Sequence, residues 1–244
     1  WTVRLAILGF ALSLLGTFIV RSGLLTSVHS FASDPARGMV ILAMLAVSIG
    51  VPLGLFALRG DRLASTDRSA MISRETALIA NNLLLVVATA TVLIGTLYPL
   101  GLEAWNGARI SVGPPFYNAT FAPMMGLMVV IMATAPLLAW VRADLAPALR
   151  RMIPGLVLVI AGIIALITLT DTISPAAVAT IGLALWLLGG VAADIIIQGG
   201  FMKAGFAGGW RRLRAMPISR WGMNVAHTGT AVFILGAAGA SFYG

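Results

Sequence analysis

The sequence predicts an all-α integral membrane bundle of about seven transmembrane helices. Of its 244 residues, 59% are hydrophobic and 10% are charged, and the mean hydropathy is +1.00. Soluble domains carry about 25% charged residues, so this chain has too little polar surface for water. Its apolar residues form runs of about 20 residues, which is the length a helix needs to span the bilayer. We see no recurring alternating segments of about 10 residues, the pattern of a membrane β-barrel.

Seven apolar segments account for the predicted helices in chain order. In hydrocarbon every backbone polar group has to be bonded within the protein, which favours helices for segments of this length. Asp34-Pro35 and Ser174-Pro175 have the order of an N-cap and a first-turn proline, and they open the second and sixth helices. We expect one transmembrane domain over residues 1–244. The predicted helices are 3–20, 39–58, 77–100, 121–141, 152–170, 176–197 and 221–241.

Basic residues are distributed unevenly between the loops that join these helices. Only Arg21, Arg37 and Arg109 fall on one side, and the other 13 of the 16 Lys and Arg residues fall on the opposite side. The positive-inside rule places the arginine-rich side in the cytoplasm, with the N-terminus cytoplasmic and the C-terminus periplasmic. Because topology explains the net charge of +8, we expect contact with the lipid bilayer and no nucleic-acid partner.

The segment 199–214 is rich in glycine and then basic, and it joins the last two predicted helices. It lacks the GK[ST] ending of a phosphate-binding loop, so nucleotide binding is poorly supported. We predict a flexible loop at the inner face, lying against anionic lipid. The chain has no cysteine, which excludes disulfides and thiolate metal ligands within it.

Asp194 and His227 are ionisable residues inside apolar segments, where such groups are candidates for function. The simplest explanation for Asp194 is pairing with Lys203 or with an arginine at the inner surface. Small residues such as Gly222 and Gly229 flank His227 and leave room for a large flat ligand. Neutral imidazole is a good ligand for haem iron, and the competing explanation for His227 is an interhelical hydrogen bond.

The other histidine, His29, follows Arg21 in the first outer loop, where it has the alternative of being an ordinary loop residue. The two histidines lie in opposite halves of the membrane, so they cannot ligate the same iron. If both bind haem, there are two haem sites, each lacking its second histidine in this chain. The residues alone leave open a transporter or channel subunit without a redox cofactor, and a non-catalytic scaffold subunit of a membrane complex.

Four stretches resemble the CcmF family of cytochrome c maturation proteins, the membrane component of the haem lyase. They occur in the family's order and extend over most of the chain. The resemblance implies that His29 is one of two periplasmic histidines that hold haem before attachment. It also implies that His227 is one of two membrane histidines that ligate a resident b-type haem. The stretches are 16-GTFIVRSGLLTSVHSFASDPARG-38, 73-SRETALIANNLLLVVATATVLIGTLYPL-100, 112-VGPPFYN-118 and 222-GMNVAHTG-229.

The resemblance also implies a reaction and its participants. In this family a periplasmic haem chaperone delivers haem, whose vinyl groups form thioethers with the CxxCH cysteines of apocytochrome c. A thiol-reducing partner serves those cysteines, other maturation subunits share the bacterial inner membrane, and quinol is a candidate electron source for the resident haem. The partner histidines and the tryptophan-rich periplasmic segment lie upstream of the matched region. The resemblance therefore implies a central to C-terminal part of such a protein.

Two arginines on the outer side are candidate contacts for haem propionates, because that side is otherwise poor in arginine. They are Arg21 at the exit of the first helix and Arg109 in the second outer loop. Interfacial anchoring or loop solvation explains them equally well. Phe116 and Tyr117 follow in the same loop, either as interfacial belt residues or as walls of a haem pocket. No residue has the character of a general base or nucleophile, so we predict no catalytic residue.

Overall fold

A computed structural model describes residues 2–22, 35–63, 69–170 and 173–243. All regular secondary structure within these ranges is helical, which confirms the all-α fold class. The α-helices there are α1 (Thr2–Arg21), α2 (Pro35–Arg59), α3 (Arg74–Asn106), α4 (Pro114–Thr134), α5 (Leu145–Arg151), α6 (Ile153–Leu169), α7 (Pro175–Gly199), α8 (Phe201–Arg214) and α9 (Ile218–Phe242).

Six of these helices are long and apolar enough to cross a membrane: α1, α2, α3, α4, α7 and α9. The short helix α5 and the apolar helix α6 meet at a bend of 48°, and the number of spans rises to seven where this bent pair crosses the membrane as one broken span. Within the part of the chain that the structure describes, the multi-pass membrane bundle expected from the sequence is thus confirmed.

Several predicted boundaries differ from the observed ones. Helix α3 continues to Asn106, into the predicted outer loop. Helix α4 ends at Thr134, whereas the sequence predicted an end near residue 141. A 3-10 turn that contains Pro136 follows directly after Thr134. Proline lacks the backbone N–H that would continue the helix, which accounts for the early end. The predicted cap at Ser174 is confirmed, since its side chain accepts a hydrogen bond from the Ala177 N–H.

The prediction of a flexible loop over 199–214 is wrong, because this segment forms α8. Two of its five glycines lie at bends: Gly200 ends α7 with a φ of 60°, and Gly205 bends α8 with a φ of 66°. Positive φ is the conformation that favours glycine. Between the bends and the end of α8, Gly209 and Leu213 are buried. These two residues are four positions apart and lie on one side of α8, so packing of that side stabilises a helix that composition alone did not predict.

The chain divides into two compact units, residues 1–67 and 68–244, so the single domain stays a prediction. In the first unit, α1 packs against α2. The Arg4 guanidinium lies over the Phe56 ring, 4.7 Å from its centroid. A Cβ at Gly38 would lie 3.3 Å from the Cα of Ser22, so the end of α1 and the beginning of α2 are close together.

In the second unit, α7 is the central helix, and it packs against α4, α6, α8 and α9. Leu187 of α7 is fully buried, and Met152 at the start of α6 is 1% exposed. Two close approaches bring the backbones together through small residues, as is usual between membrane helices. A Cβ at Gly155 of α6 would lie 3.1 Å from the Cα of Gly189, and one at Gly190 would lie 2.5 Å from the Ala133 carbonyl oxygen of α4.

A Gly190→Val substitution is expected to destabilise the complete protein by about 1–3 kcal/mol, because α4 and α7 have to separate to admit the side chain. Thermal unfolding in one detergent measures the effect. Gly236→Val is the matched control, since a Cβ at Gly236 meets nothing within 4 Å. Equal stability of the two variants would contradict the close contact between α4 and α7.

Arginine-rich segments of the second unit gather at one end. The Arg74 N–H donates to the Ala139 carbonyl at 2.9 Å, which joins the start of α3 to the chain that follows α4. The Arg151 Nη1 donates to the Leu137 carbonyl at 3.3 Å. Because the positive-inside rule assigns these segments to the cytoplasm, their proximity agrees with that topology. The side of the membrane that this end faces stays a prediction.

Candidate functional site

The candidate site is a groove around His227, between α9, the start of α3 and the end of α4. Its volume is about 210 Å³. The imidazole of His227 is partly buried, and within the described ranges it makes no hydrogen bond. The interhelical hydrogen bond that competes with ligand binding therefore has no counterpart in this part of the chain. The lining residues are Arg74, Ala77, Leu78, Asn81, Ile131, Met132, Ala135, Pro136, Met223 and His227.

The geometry of α9 places His227 in the groove. Met223 and His227 are four residues apart and therefore share one face of the helix, and both line the groove. Gly222 and Gly229 would meet nothing within 4 Å if they carried a Cβ, but at 100° per residue they lie on the far side of α9 from His227. The space beside the imidazole therefore comes from the gap between α9, α3 and α4, and not from these two glycines.

Arg74 brings a cation to the same groove. It is the first residue of α3, after the N-cap Ser73, whose side chain accepts a hydrogen bond from the Thr76 N–H at 3.1 Å. The Arg74 guanidinium lies 4.7 Å from the centre of the Trp140 ring. In the sequence this arginine was only a topology signal, because nothing local relates it to His227, which is more than 150 residues away.

Asp194 lies in a polar cluster between α7 and α9, and it is 1% exposed. Arg220 donates to both carboxylate oxygens, from Nη2 to Oδ1 at 2.7 Å and from Nε to Oδ2 at 3.2 Å. Asn224 Nδ2 donates to Oδ2 at 3.1 Å. With its amide oxygen turned toward Arg220, Gln198 accepts a further hydrogen bond from Nη2 at 2.7 Å. The expected pairing with an arginine is confirmed, and the arginine is Arg220.

The cluster also fixes the position of the histidine. Arg220, Asn224 and His227 have the spacing i, i+4 and i+7, so they follow one stripe of α9. The contacts of Arg220 and Asn224 to Asp194 hold this stripe against α7. Asn224 and Arg220 were not among the predicted site residues, although their spacing to His227 was a signal that could have found them.

The other predicted site residues are placed as follows. His29 lies outside the described residues, and its role stays a prediction. Arg21 ends α1 in the first unit and is exposed. Arg109, in the second unit, pairs with Glu103 at 2.9 Å, with side chains 85% and 45% exposed. Exposed pairs of this kind contribute little stability, so Arg109 is not committed to a structural role.

Phe116 and Tyr117 lie in the first turn of α4, and their rings meet edge to face with centroids 5.2 Å apart. Both rings approach Gly95 of α3, where a Cβ would come 2.9 Å from Phe116 Cε1 and 2.9 Å from the Tyr117 hydroxyl. These aromatics therefore anchor α4 to α3. Their role as walls of a haem pocket stays a prediction.

The groove contains one side chain, the imidazole of His227, that is suited to ligate haem iron. Besides this imidazole, it offers a largely apolar wall and one arginine, whose guanidinium lies over Trp140. Pockets that enclose a ligand usually measure about 300–1,000 Å³, so this groove covers only part of a haem. The chain has two histidines, and the second is His29, so the described residues offer a single histidine as a haem ligand. They contain no group of three or more His, Cys, Asp or Glu residues that could hold a metal ion.

Comparison with known proteins relates almost the whole chain to one group of proteins. It is 46% identical over 239 residues to the cytochrome c-type biogenesis protein CycK of Rhizobium meliloti (strain 1021), which covers 97% of this chain and 35% of that protein. The resemblance to the CcmF family is confirmed. The cytochrome c-type biogenesis protein CcmF of Pseudomonas fluorescens is 45% identical over 97% of this chain and 35% of its own length.

CcmF of Escherichia coli (strain K12) is 40% identical over 98% of this chain and 35% of its own length. The chain thus spans about a third of the length of the curated CcmF and CycK relatives that it matches. No protein-family model matches the chain, and no solved structure matches it significantly.

Proposed function

We propose that this chain is part of the haem-handling machinery of cytochrome c maturation in the bacterial inner membrane. The observation that carries the proposal is the 46% identity, over 97% of the chain, to a cytochrome c-type biogenesis protein. The groove at His227 supports it independently, because a half-buried imidazole without a hydrogen-bond partner in the described ranges is available to a metal.

In this proposal His227 is one axial ligand of a resident b-type haem, whose chemistry when bound is one-electron transfer. The chain's own residues then have separate tasks. The His227 imidazole would ligate the iron, and the apolar side chains of Leu78, Ile131 and Met132 would exclude water from one side. The Arg74 side chain would balance the negative charge of a propionate. A second histidine ligand would have to come from outside the described residues.

His29 is proposed to hold a second haem, the substrate, at the periplasmic face. Arg21 and Arg109 are the proposed propionate contacts there. The partners are a periplasmic haem chaperone, apocytochrome c with its thiol-reducing partner, and other maturation subunits in the membrane. Quinol is the proposed source of electrons for the resident haem. These proposals rest on the family resemblance.

A transporter or channel subunit, the alternative from the sequence, gains no support from Asp194. Two hydrogen bonds from Arg220 and one from Asn224 occupy its carboxylate. These bonds account for the buried charge of Asp194 as a pair between α7 and α9, without an ion pathway. The proposed role of Asp194 is therefore to hold α9, and with it His227, against α7.

A His29→Ala substitution in the complete protein is expected to abolish cytochrome c maturation and to leave the resident haem in place, because the two histidines serve different haems. Complementation of a strain that lacks the protein, with staining of covalently bound haem, measures maturation. The reduced-minus-oxidised spectrum of the purified variant measures the resident haem. Normal maturation in the variant would return His29 to an ordinary loop residue.

A further inference from the structure

We propose that α8 is an interfacial helix that binds the anionic headgroups of membrane lipids through arginines and inserts an aromatic edge into the acyl region. The proposal does not depend on haem binding. It replaces the flexible loop expected from the sequence with a helix that has a defined orientation.

The neighbours of α8 place it at the membrane surface. Helix α7 ends at Gly199 and α9 begins at Ile218, and both qualify as membrane spans. The ion pair between Asp194 and Arg220 holds the end of α7 beside the start of α9. A helix that connects two adjacent span ends begins and ends where the hydrocarbon stops.

The sides of α8 match such an orientation. After the bend at Gly205, helical geometry places Phe206 and Trp210 about 40° apart, next to the buried Leu213. Leu213 is 4% exposed, whereas Phe206 is 82% and Trp210 is 49% exposed. Phe206 and Trp210 therefore lie on the same side of α8 as the buried Leu213 but are exposed, and together they form an aromatic edge. Arg211 lies about 140° around the helix from Phe206, away from this edge.

Charge complementarity identifies the partner as anionic. The segment carries Lys203, Arg211, Arg212 and Arg214, and no acidic residue follows Asp194 in the chain. The Arg214 guanidinium lies 5.6 Å from the centre of the Trp210 ring, which joins a cation to the aromatic edge. Tryptophan and arginine are enriched at the level of lipid headgroups, and basic interfacial helices bind anionic lipid.

One arginine has a second neighbour and is left out of the test. A Cβ at Gly200 would lie 2.6 Å from Nη1 of Arg212, so this guanidinium lies against the C-terminal end of α7. Cations at helix C-termini are favourable. Arg211 and Arg214, both exposed, are therefore the residues whose removal reports on lipid binding with least effect on α7.

The test uses the complete protein in a cysteine-free background, in nanodiscs of phosphatidylcholine with or without phosphatidylglycerol. A fluorophore is attached at Phe206→Cys, and at Ala207→Cys as the matched control on the neighbouring side. Spin-labelled acyl chains act as the quencher. We expect at least twofold stronger quenching at position 206 than at 207, and an increase at 206 when phosphatidylglycerol is present.

A second pair of variants tests whether the positive charge of α8 causes the effect of phosphatidylglycerol. Arg211→Gln with Arg214→Gln is expected to abolish the effect of phosphatidylglycerol on quenching at position 206. The control, Arg142→Gln with Arg150→Gln, removes two exposed arginines outside α8 and is expected to retain it. Equal quenching at 206 and 207, or a phosphatidylglycerol effect that survives loss of Arg211 and Arg214, would overturn the proposal. Protection of position 206 from the quencher by a co-purifying protein would show that this protein covers the aromatic edge of α8. That result would overturn the proposal as well.

Discussion

The His227→Ala variant of the complete protein is expected to lose the bis-histidine b-haem band from its reduced-minus-oxidised spectrum. The reason is that the imidazole lines the groove, whereas an alanine methyl group cannot ligate iron. Loss of partners that only orient a metal ligand already weakens metal binding about 10–100-fold, so loss of the ligand itself should lower haem occupancy by at least about tenfold. Haem per protein, measured by the pyridine haemochrome method, gives the occupancy.

Thr228→Ala is the matched control for this experiment. Thr228 is the next residue of α9, but it lines a different recess, together with Val191 and Ile195 of α7. Its hydroxyl donates to the Asn224 carbonyl at 2.8 Å, so its loss has a small local effect. We expect the control to keep its haem. Full haem occupancy in His227→Ala would remove His227 from the site, and a colourless wild-type protein would contradict the proposed resident haem as a whole.

The Arg220→Ala variant is expected to be less stable than the wild type by about 3–5 kcal/mol, because it leaves the Asp194 carboxylate buried without its charged partner. Asp194 is 2% exposed at its side chain, whereas Arg220 is 29% exposed and can reach the interface. Because Asp194 is the more deeply buried partner, removal of Arg220 leaves a buried charge unpaired and is more damaging than removal of Asp194. Thermal unfolding in a single detergent, followed by near-ultraviolet circular dichroism, measures the loss.

Two further variants distinguish the effect of an unpaired buried charge from the effect of lost side-chain packing. Adding Asp194→Asn to Arg220→Ala removes the buried charge and leaves an amide that can still bond Asn224, so we expect it to restore much of the lost stability. Arg109→Ala removes an exposed ion pair and is expected to cost about 1 kcal/mol or less. If Arg220→Ala is as stable as Arg109→Ala, the Asp194 cluster does not hold α9 against α7.

The Asp194 cluster also connects stability with the haem proposal. Arg220 and Asn224 lie on the same stripe of α9 as His227. A weakened contact between α9 and α7 should therefore lower haem occupancy in the Arg220→Ala variant even though no ligand is lost. The double variant with Asp194→Asn should recover haem in parallel with stability. Such a parallel would show that haem binding depends on the contact between α9 and α7.

The sequence determined the membrane-spanning helices, because hydropathy and run length are local properties. It also predicted the Ser174 cap and a basic partner for Asp194, either Lys203 or an arginine, since buried charge near the end of a span requires one. Its error over 199–214 has a physical cause. Glycine content was read as flexibility, whereas the positive φ angles at Gly200 and Gly205 concentrate the bends at single residues.

Only the tertiary structure decided which distant residues meet. Arg220 lies 26 positions from Asp194, and its choice over Lys203 depends on how α7 and α9 pack. Arg74 reaches the groove of His227 because the start of α3 lies beside α9, which no local pattern encodes. Periodicity specifies which face of one helix is apolar. The partner of that face follows from close approaches such as Gly190 to Ala133, where the absence of a side chain sets the distance between two helices.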